Sequence, residues 1–121
     1  MGDYRKLLVW QEAHELTLGV YQAAKAFPRE ELFGVTSQLR RSVASVGANI
    51  AEGAGRESQQ ELRRFCRIAL GSLNESEYHL LLARDLGYID PSVHQPLALR
   101  ISRLRRMLVK FCQSLELDAV P

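Results

Sequence analysis

The chain is short of most residues and patterns that announce a function. Only three of its 16 basic residues are lysines; the other 13 are arginines. Cysteine occurs twice, at Cys66 and Cys112, with no Cys-x-x-Cys pair. That excludes a disulfide framework and a zinc-ribbon pattern, and it predicts two buried free thiols. Aromatic residues are 7% of the 121, so Leu, Val, Ile and Ala must fill the core. No apolar run reaches the length that spans a membrane. The opening MGDYRKLLVW holds no long apolar stretch, and Lys6 stands where a myristoylation signal needs Ser or Thr. These absences predict a soluble cytoplasmic protein with no membrane association.

Catalytic patterns are equally sparse. His14-Glu15 opens like a His-Glu-x-x-His zinc site, but position 18 is Leu18 and the second ligand is missing. His79 and His94 stand alone. Gly71-Ser72 is flanked by Leu70 and Asn74, so no nucleophile elbow forms. Glu75 and Glu77 lie about 200° apart around a helix and cannot face each other. No metal, no cofactor and no enzymatic activity is expected. Glu77 does fall near the apolar stripe of its helix, where an unpaired carboxylate is costly. Arg84, two turns on along the same face, is a candidate partner for a structural ion pair, as are arginines of neighbouring helices.

What the sequence does have is helical periodicity, in four segments of a single domain spanning residues 1–121. The first, about 8–27, repeats Val9, Ala13, Leu16, Val20 and Ala24, and Pro28 ends it. The second, about 31–54, places Val35, Leu39, Val43, Val46 and Ile50 on one face. Its other face carries Ala44, Ala48 and Ala51, which either admits a close neighbour or simply meets solvent. The third, about 58–86, opens on a Ser58-Gln-Gln-Glu61 capping box and closes at Gly87. Leu62, Cys66, Ala69, Leu73 and Leu80 form its main stripe, while Ile68, Leu82 and Leu86 lie nearly opposite. A helix apolar on two sides is central in a bundle or faces a second subunit. The fourth, about 91–117, follows Asp90-Pro91 and steps through Leu97, Ile101, Leu104, Leu108, Phe111 and Leu115 as a heptad seam. Pro96 either starts that helix or kinks its first turn. Short connections between four such segments predict an all-α, antiparallel, up-and-down, left-handed four-helix bundle.

The basic residues gather in two places. Arg40, Arg41, Arg56, Arg63, Arg64 and Arg67 bracket the junction of segments two and three, among Glu52, Glu57 and Glu61. Arg100, Arg103, Arg105, Arg106 and Lys110 occupy segment four, with no acid between Asp90 and Glu116. Arg103, Arg106 and Lys110 point away from the leucine seam. One reading is phosphate binding, since Arg and Lys neutralise backbone charge and release counterions. The other is a solvated face or salt bridges between helices or subunits. No aromatics interleave the stripe, so base stacking on it is not indicated. The net charge of +2 is too small to decide.

The stretch ANIAEGAGRES, residues 48–58, poses the same kind of choice. A phosphate-holding loop needs a strand before its glycines and a helix starting at them. Here a helix precedes and Ser58 starts the next, so Gly53 and Gly55 read as a helix stop and a tight corner. Asn49 and Glu52 would then tie the second helix to its neighbours, and Arg56 would be the corner's contact with a partner.

Three longer stretches carry a resemblance: LLVWQEAHELTLGVY, FPREELFGVTSQLRRSVASVGANIAEGAGR and RFCRIALGSLNESE. They resemble the four-helix-bundle proteins encoded in intervening sequences of bacterial 23S ribosomal RNA genes, over about residues 7–116. Gly47 departs from the pattern, where relatives often carry Pro or Ser. The resemblance implies a cytoplasmic bundle that assembles into a ring, typically a pentamer. The family in turn is similar to the accessory variability proteins of diversity-generating retroelements, basic pentamers that bind a reverse transcriptase and nucleic acid. It implies no catalytic residues. Together these readings predict a homo-oligomer that binds structured RNA or DNA through Arg41, Arg56, Arg63, Arg64, Arg103, Arg106 and Lys110. Ala44, Ala48, Ala51, Ile68, Leu82 and Leu86 are the expected subunit interface. The alternative is a scaffold bundle whose arginines form ion pairs between subunits.

Overall fold

The computed structural model describes residues 2–119, and among them every regular element is helical. The four long helices are α1 (Leu8–Ala24), α2 (Val35–Ala54), α3 (Gln59–Asp85) and α4 (Pro91–Ala119). Short 3-10 turns at Tyr4–Lys6 and Arg29–Glu31 precede α1 and α2. Each helix packs on its sequence neighbours, and α4 returns to α1; the diagonal pairs make no close backbone approach. This is the antiparallel up-and-down four-helix bundle that short connections impose.

The predicted apolar stripes are the core, except that Val35 and Phe111 are only half-buried at its margin. Val9, Ala13, Leu16, Val20 and Ala24 of α1 are buried, as are Leu39, Val43, Val46 and Ile50 of α2. Leu62, Cys66, Ala69, Leu73 and Leu80 of α3 meet Leu97, Ile101, Leu104, Leu108 and Leu115 of α4. Fully burying one Leu or Ile stabilises a fold by about 1.5–3 kcal/mol, so these stripes decide which face of each helix turns inward.

The tightest pair is α2 with α3, and small residues make it so. A methyl group on Gly53 would come 2.7 Å from the Phe65 Cβ. Gly53 therefore lies inside α2 as a point of close helix contact, which corrects its reading as a helix stop. The stop falls at Gly55, whose N–H donates to the Ala51 and Glu52 carbonyls. Hydroxyls fill the rest of this seam. The fully buried Ser76 hydroxyl lies 3.0 Å from Ser42 Oγ and 2.8 Å from the Ser72 carbonyl, and Ser45 and Ser72 Oγ are 2.9 Å apart. The small residues that admit α3 are thus serines and glycine. Ala44, Ala48 and Ala51 face elsewhere.

The helix ends follow local chemistry. Ser58 accepts from the Glu61 N–H at 3.1 Å, but the Glu61 carboxylate takes Arg64 Nε instead of closing the capping box. At the far end of α3, Gly87 has φ 78°, the Tyr88 N–H reaches the Ala83 carbonyl at 2.8 Å, and the Gly87 N–H reaches Arg84 at 2.9 Å. That double closure is a Schellman motif, which only glycine enters without strain. The α4 helix starts at Pro91, with the Ser92 N–H held by Asp90, so Pro96 is interior. At the other connection α2 begins four residues later than its apolar pattern predicts, because 29–31 form a separate turn and Gly34 leaves the helical path.

Candidate nucleic-acid interface

Two ion pairs fix the register of α3 against α4. Arg63 meets Glu116 at 3.2 Å, and Arg105 meets Glu77 at 2.7 Å. Arg105 also donates from Nε to Asn74 at 3.0 Å. Glu77 therefore has its structural partner across the groove, which corrects the pairing with Arg84. Two turns of helix separate Glu77 and Arg84 by about 10.5 Å along the axis. Arg84 instead turns to Asp85 at 3.0 Å.

Arg67 of α3 and Arg106 of α4 lie between these two bridges along the helices, and Lys110, seven residues after Arg103, adjoins them on the side of α4 that turns to α1. All three are exposed, and among the described residues none has an acidic partner. With Arg63 and Arg105, Arg67 and Arg106 give the outer α3–α4 face four cations against Glu77 and Glu116, and Lys110 adds a fifth beside it on α4. At the start of α3, Arg63, Arg64 and Arg67 line a surface cleft of about 340 Å³ with Gln60 and Glu61. Arg guanidinium groups in such an arrangement offer forked N–H pairs to phosphate oxygens. The sequence reading grouped Arg67 with the corner arginines without singling it out. Its phase, four residues after Arg63 on the same face, is the signal that marks it.

The other predicted contacts divide. Arg41 is exposed on α2 without an acidic partner among the described residues. Arg56 pairs with Glu52 at 3.0 Å and Arg64 with Glu61 at 2.8 Å. Both guanidinium groups also lie over the Phe65 ring, 5.1 and 4.6 Å from its centroid. Arg64 holds the Glu61 carboxyl below the usual carboxylate range, so this edge keeps one fixed negative charge. Arg103 reaches Glu12 on α1 at 3.4 Å. Arg40, half-buried, donates to the Tyr21 carbonyl at 3.3 Å and lies over the Tyr21 ring, which ties α2 to α1. Asn49 and Glu52 do not reach neighbouring helices: Asn49 donates to Ser45 of its own helix at 2.8 Å, and Glu52 takes Arg56.

The residues read as one subunit interface fall in two places. Ala44, Ala48 and Ala51 line a groove of about 280 Å³ between α1 and α2, walled by Trp10 and His14. Those two rings are stacked, 4.9 Å apart and 8° from parallel. Ile68 and Leu86 are exposed on α3 and Leu82 is half-buried, and none of the three lines that groove. Gly47 sits against Trp10: a methyl there would come 3.4 Å from the indole nitrogen.

No group of three or more His, Cys, Asp or Glu side chains converges for a metal among the described residues. Both thiols are buried, and burial pushes Cys66 up to about 12. Such a thiol stays protonated and is a poor nucleophile. No helix among the described residues is long and apolar enough to cross a membrane.

Comparison with known proteins agrees with this architecture. Among curated proteins none matches the chain. A solved structure that it resembles is a protein of unknown function from the S23 ribosomal protein family of Bacteroides thetaiotaomicron. The two share a TM-score of 0.80 and 25% identity, over 87% of this chain and 98% of that one. The family model for the 23S rRNA-intervening sequence protein matches residues 5–110, which is most of the bundle. The chain belongs to the 23S rRNA-intervening sequence protein family.

Proposed function

We propose that this protein is a non-enzymatic, cytoplasmic homo-oligomer that binds structured RNA or DNA through the outer α3–α4 face. The observation that carries the reading is the set of exposed cations without an acidic partner among the described residues, Arg67 and Arg106 between the two cross-helix bridges and Lys110 beside them on α4. Arg63 and Arg105 extend it, each already oriented by a carboxylate. Arg41 adds a separate contact on α2. Arg56, Arg64 and Arg103 serve first as local ties and second as charge. The family resemblance favours a ring, pentameric in its relatives, and repetition around a ring multiplies a weak site by effective concentration. The link of the family to ribosomal RNA genes makes structured RNA the first ligand to try.

A second reading is a scaffold bundle without nucleic-acid binding. It draws on the pairing of Arg56, Arg63, Arg64 and Arg103 with acids of the same chain, which leaves less free charge than the sequence suggests. Fluorescence anisotropy with a labelled RNA hairpin and a DNA duplex separates the two. Binding at about 50 mM salt that weakens steeply by about 200 mM supports the first reading. Absence of binding to both at low salt overturns it.

A further inference from the structure

The α1–α2 and α3–α4 connections lie at one end of the bundle, and that end carries both a knob and a hole. The knob is Phe33, 91% exposed, beside the half-exposed Leu32. Scattered apolar side chains are ordinary on a protein surface. A phenyl ring standing almost wholly in water next to a leucine is a stronger sign, because an aromatic side chain buries about 150–250 Å² when it finds a site. The hole is an apolar cleft of about 610 Å³ between the end of α1 and the start of α4. Ala23, Ala26, Tyr88, Val93 and Leu97 are among its walls, and Gly19 keeps α1 close: a methyl there would come 3.2 Å from Leu97 Cδ2. Phe33 is not among the residues that line it.

Charge and rigidity match across the two features. The one ionised group lining the cleft is the Asp90 carboxylate. Arg29, four residues before Phe33, is exposed and has no acidic partner among the described residues. Knob and cleft are also held in fixed relation. Glu31, two residues before Phe33, accepts a 2.6 Å hydrogen bond from Tyr88 of the cleft wall. The knob is thus presented, and its own cleft stays open.

We propose that the Leu32–Phe33 turn of one subunit seats in the Ala23–Tyr88–Val93–Leu97 cleft of a second copy, with Arg29 against Asp90. The inference rests on the homo-oligomer reading and names its contact. The contact is heterologous: each copy gives a knob and receives one, so contacts repeat head to tail and close into a ring when the rotation allows. A buried aromatic anchor in a pocket is the usual energetic centre of such an interface, with a polar rim around it. It places the contact at the connection end of the bundle. Of the six interface residues expected from sequence, only Leu82 and Leu86, in and just after the last turn of α3, lie at that end.

Light scattering coupled to size exclusion tests it with wild type, Phe33→Glu and Val93→Glu. Both positions are exposed, so circular dichroism of each variant is expected to match wild type. The expected result is an oligomeric wild type, two folded monomeric variants, and a one-to-one heterodimer when the variants are mixed. The mixture pairs the intact knob of one with the intact cleft of the other and has no second contact to extend. A wild-type oligomer that Phe33→Glu leaves intact overturns the knob while the homo-oligomer reading stands. Monomeric variants that fail to pair on mixing overturn the heterologous geometry. A monomeric wild type at all concentrations overturns the homo-oligomer reading and the contact with it.

Discussion

The Tyr88 hydroxyl donates to the Glu31 carboxylate at 2.6 Å, joining the two connections at one end of the bundle across 57 residues of sequence. The Schellman closure at Gly87 aims the phenol, and the Glu31–Leu32 turn supplies the acceptor. An ionised tyrosine would face that carboxylate, so the hydrogen bond and its charge raise the Tyr88 pKa above the ordinary 10.0. The folded value lies above the unfolded one. The contribution to stability is therefore full below about pH 10 and is lost as pH rises through the raised value. Glu31→Gln removes the negative charge and keeps an acceptor. Tyrosinate absorbance is expected to show one tyrosine of the variant titrating at lower pH than in wild type.

Gly53→Ala sets two effects against each other. Alanine in a helix interior gains up to about 1 kcal/mol over glycine. The added methyl would come 2.7 Å from the Phe65 Cβ and 3.3 Å from the Leu62 backbone, so α2 and α3 must part. Overpacking of that kind costs about 1–3 kcal/mol, and it wins. Chemical denaturation is expected to find the variant less stable by about 1–2 kcal/mol. At Gly55, a helix end with room around it, alanine is expected to change stability by less than about 0.5 kcal/mol.

Arg105 and Arg106 are adjacent in sequence and differ in role. Arg105→Ala leaves Glu77 and Asn74 without their partner and is expected to cost about 0.5–1 kcal/mol. Arg106→Ala touches no ion pair among the described residues and is expected to change stability by less than about 0.5 kcal/mol. In RNA binding the order reverses, because Arg106 is free to meet phosphate and Arg105 is engaged. Thermal melts and anisotropy on the same two variants check both halves.

The thiols give a test of the core. Cys66, pushed up to about 12 by burial, and the buried Cys112 are expected to resist a thiol-specific disulfide reagent near neutral pH in the folded protein. Both are expected to react promptly once denaturant unfolds the bundle. Rapid labelling of the native protein would contradict the close packing of the α3–α4 seam.

Periodicity made the architecture legible because a helix repeats its buried face every three or four residues. Val9 to Ala24 and Leu97 to Leu115 read as core and are core. Polar seams carry no such signal. Ser42, Ser45, Ser72 and Ser76 look like surface residues until α2 and α3 are brought together. Gly53 was legible as special, but its reason, the proximity of Phe65, depends on a second helix. The arginines were legible as clusters only. Sequence does not reveal that Arg63 and Arg103 each have a carboxylate within 3.4 Å, because Glu116 and Glu12 lie far away along the chain. Phe33 gave no signal at all, since a single aromatic in a turn reads the same whether buried or free.

The most direct measurement is the salt dependence of RNA binding by wild type and by a triple variant, Arg67→Ala with Arg106→Ala and Lys110→Ala. Wild type is expected to bind with a steep slope of log affinity against log salt, each phosphate contact on a duplex contributing about 0.9. Loss of three contacts is expected to flatten that slope by roughly two to three and to weaken binding at low salt, with the fold unchanged. An affinity and slope that the triple variant leaves at the wild-type level would contradict the α3–α4 face as the binding surface.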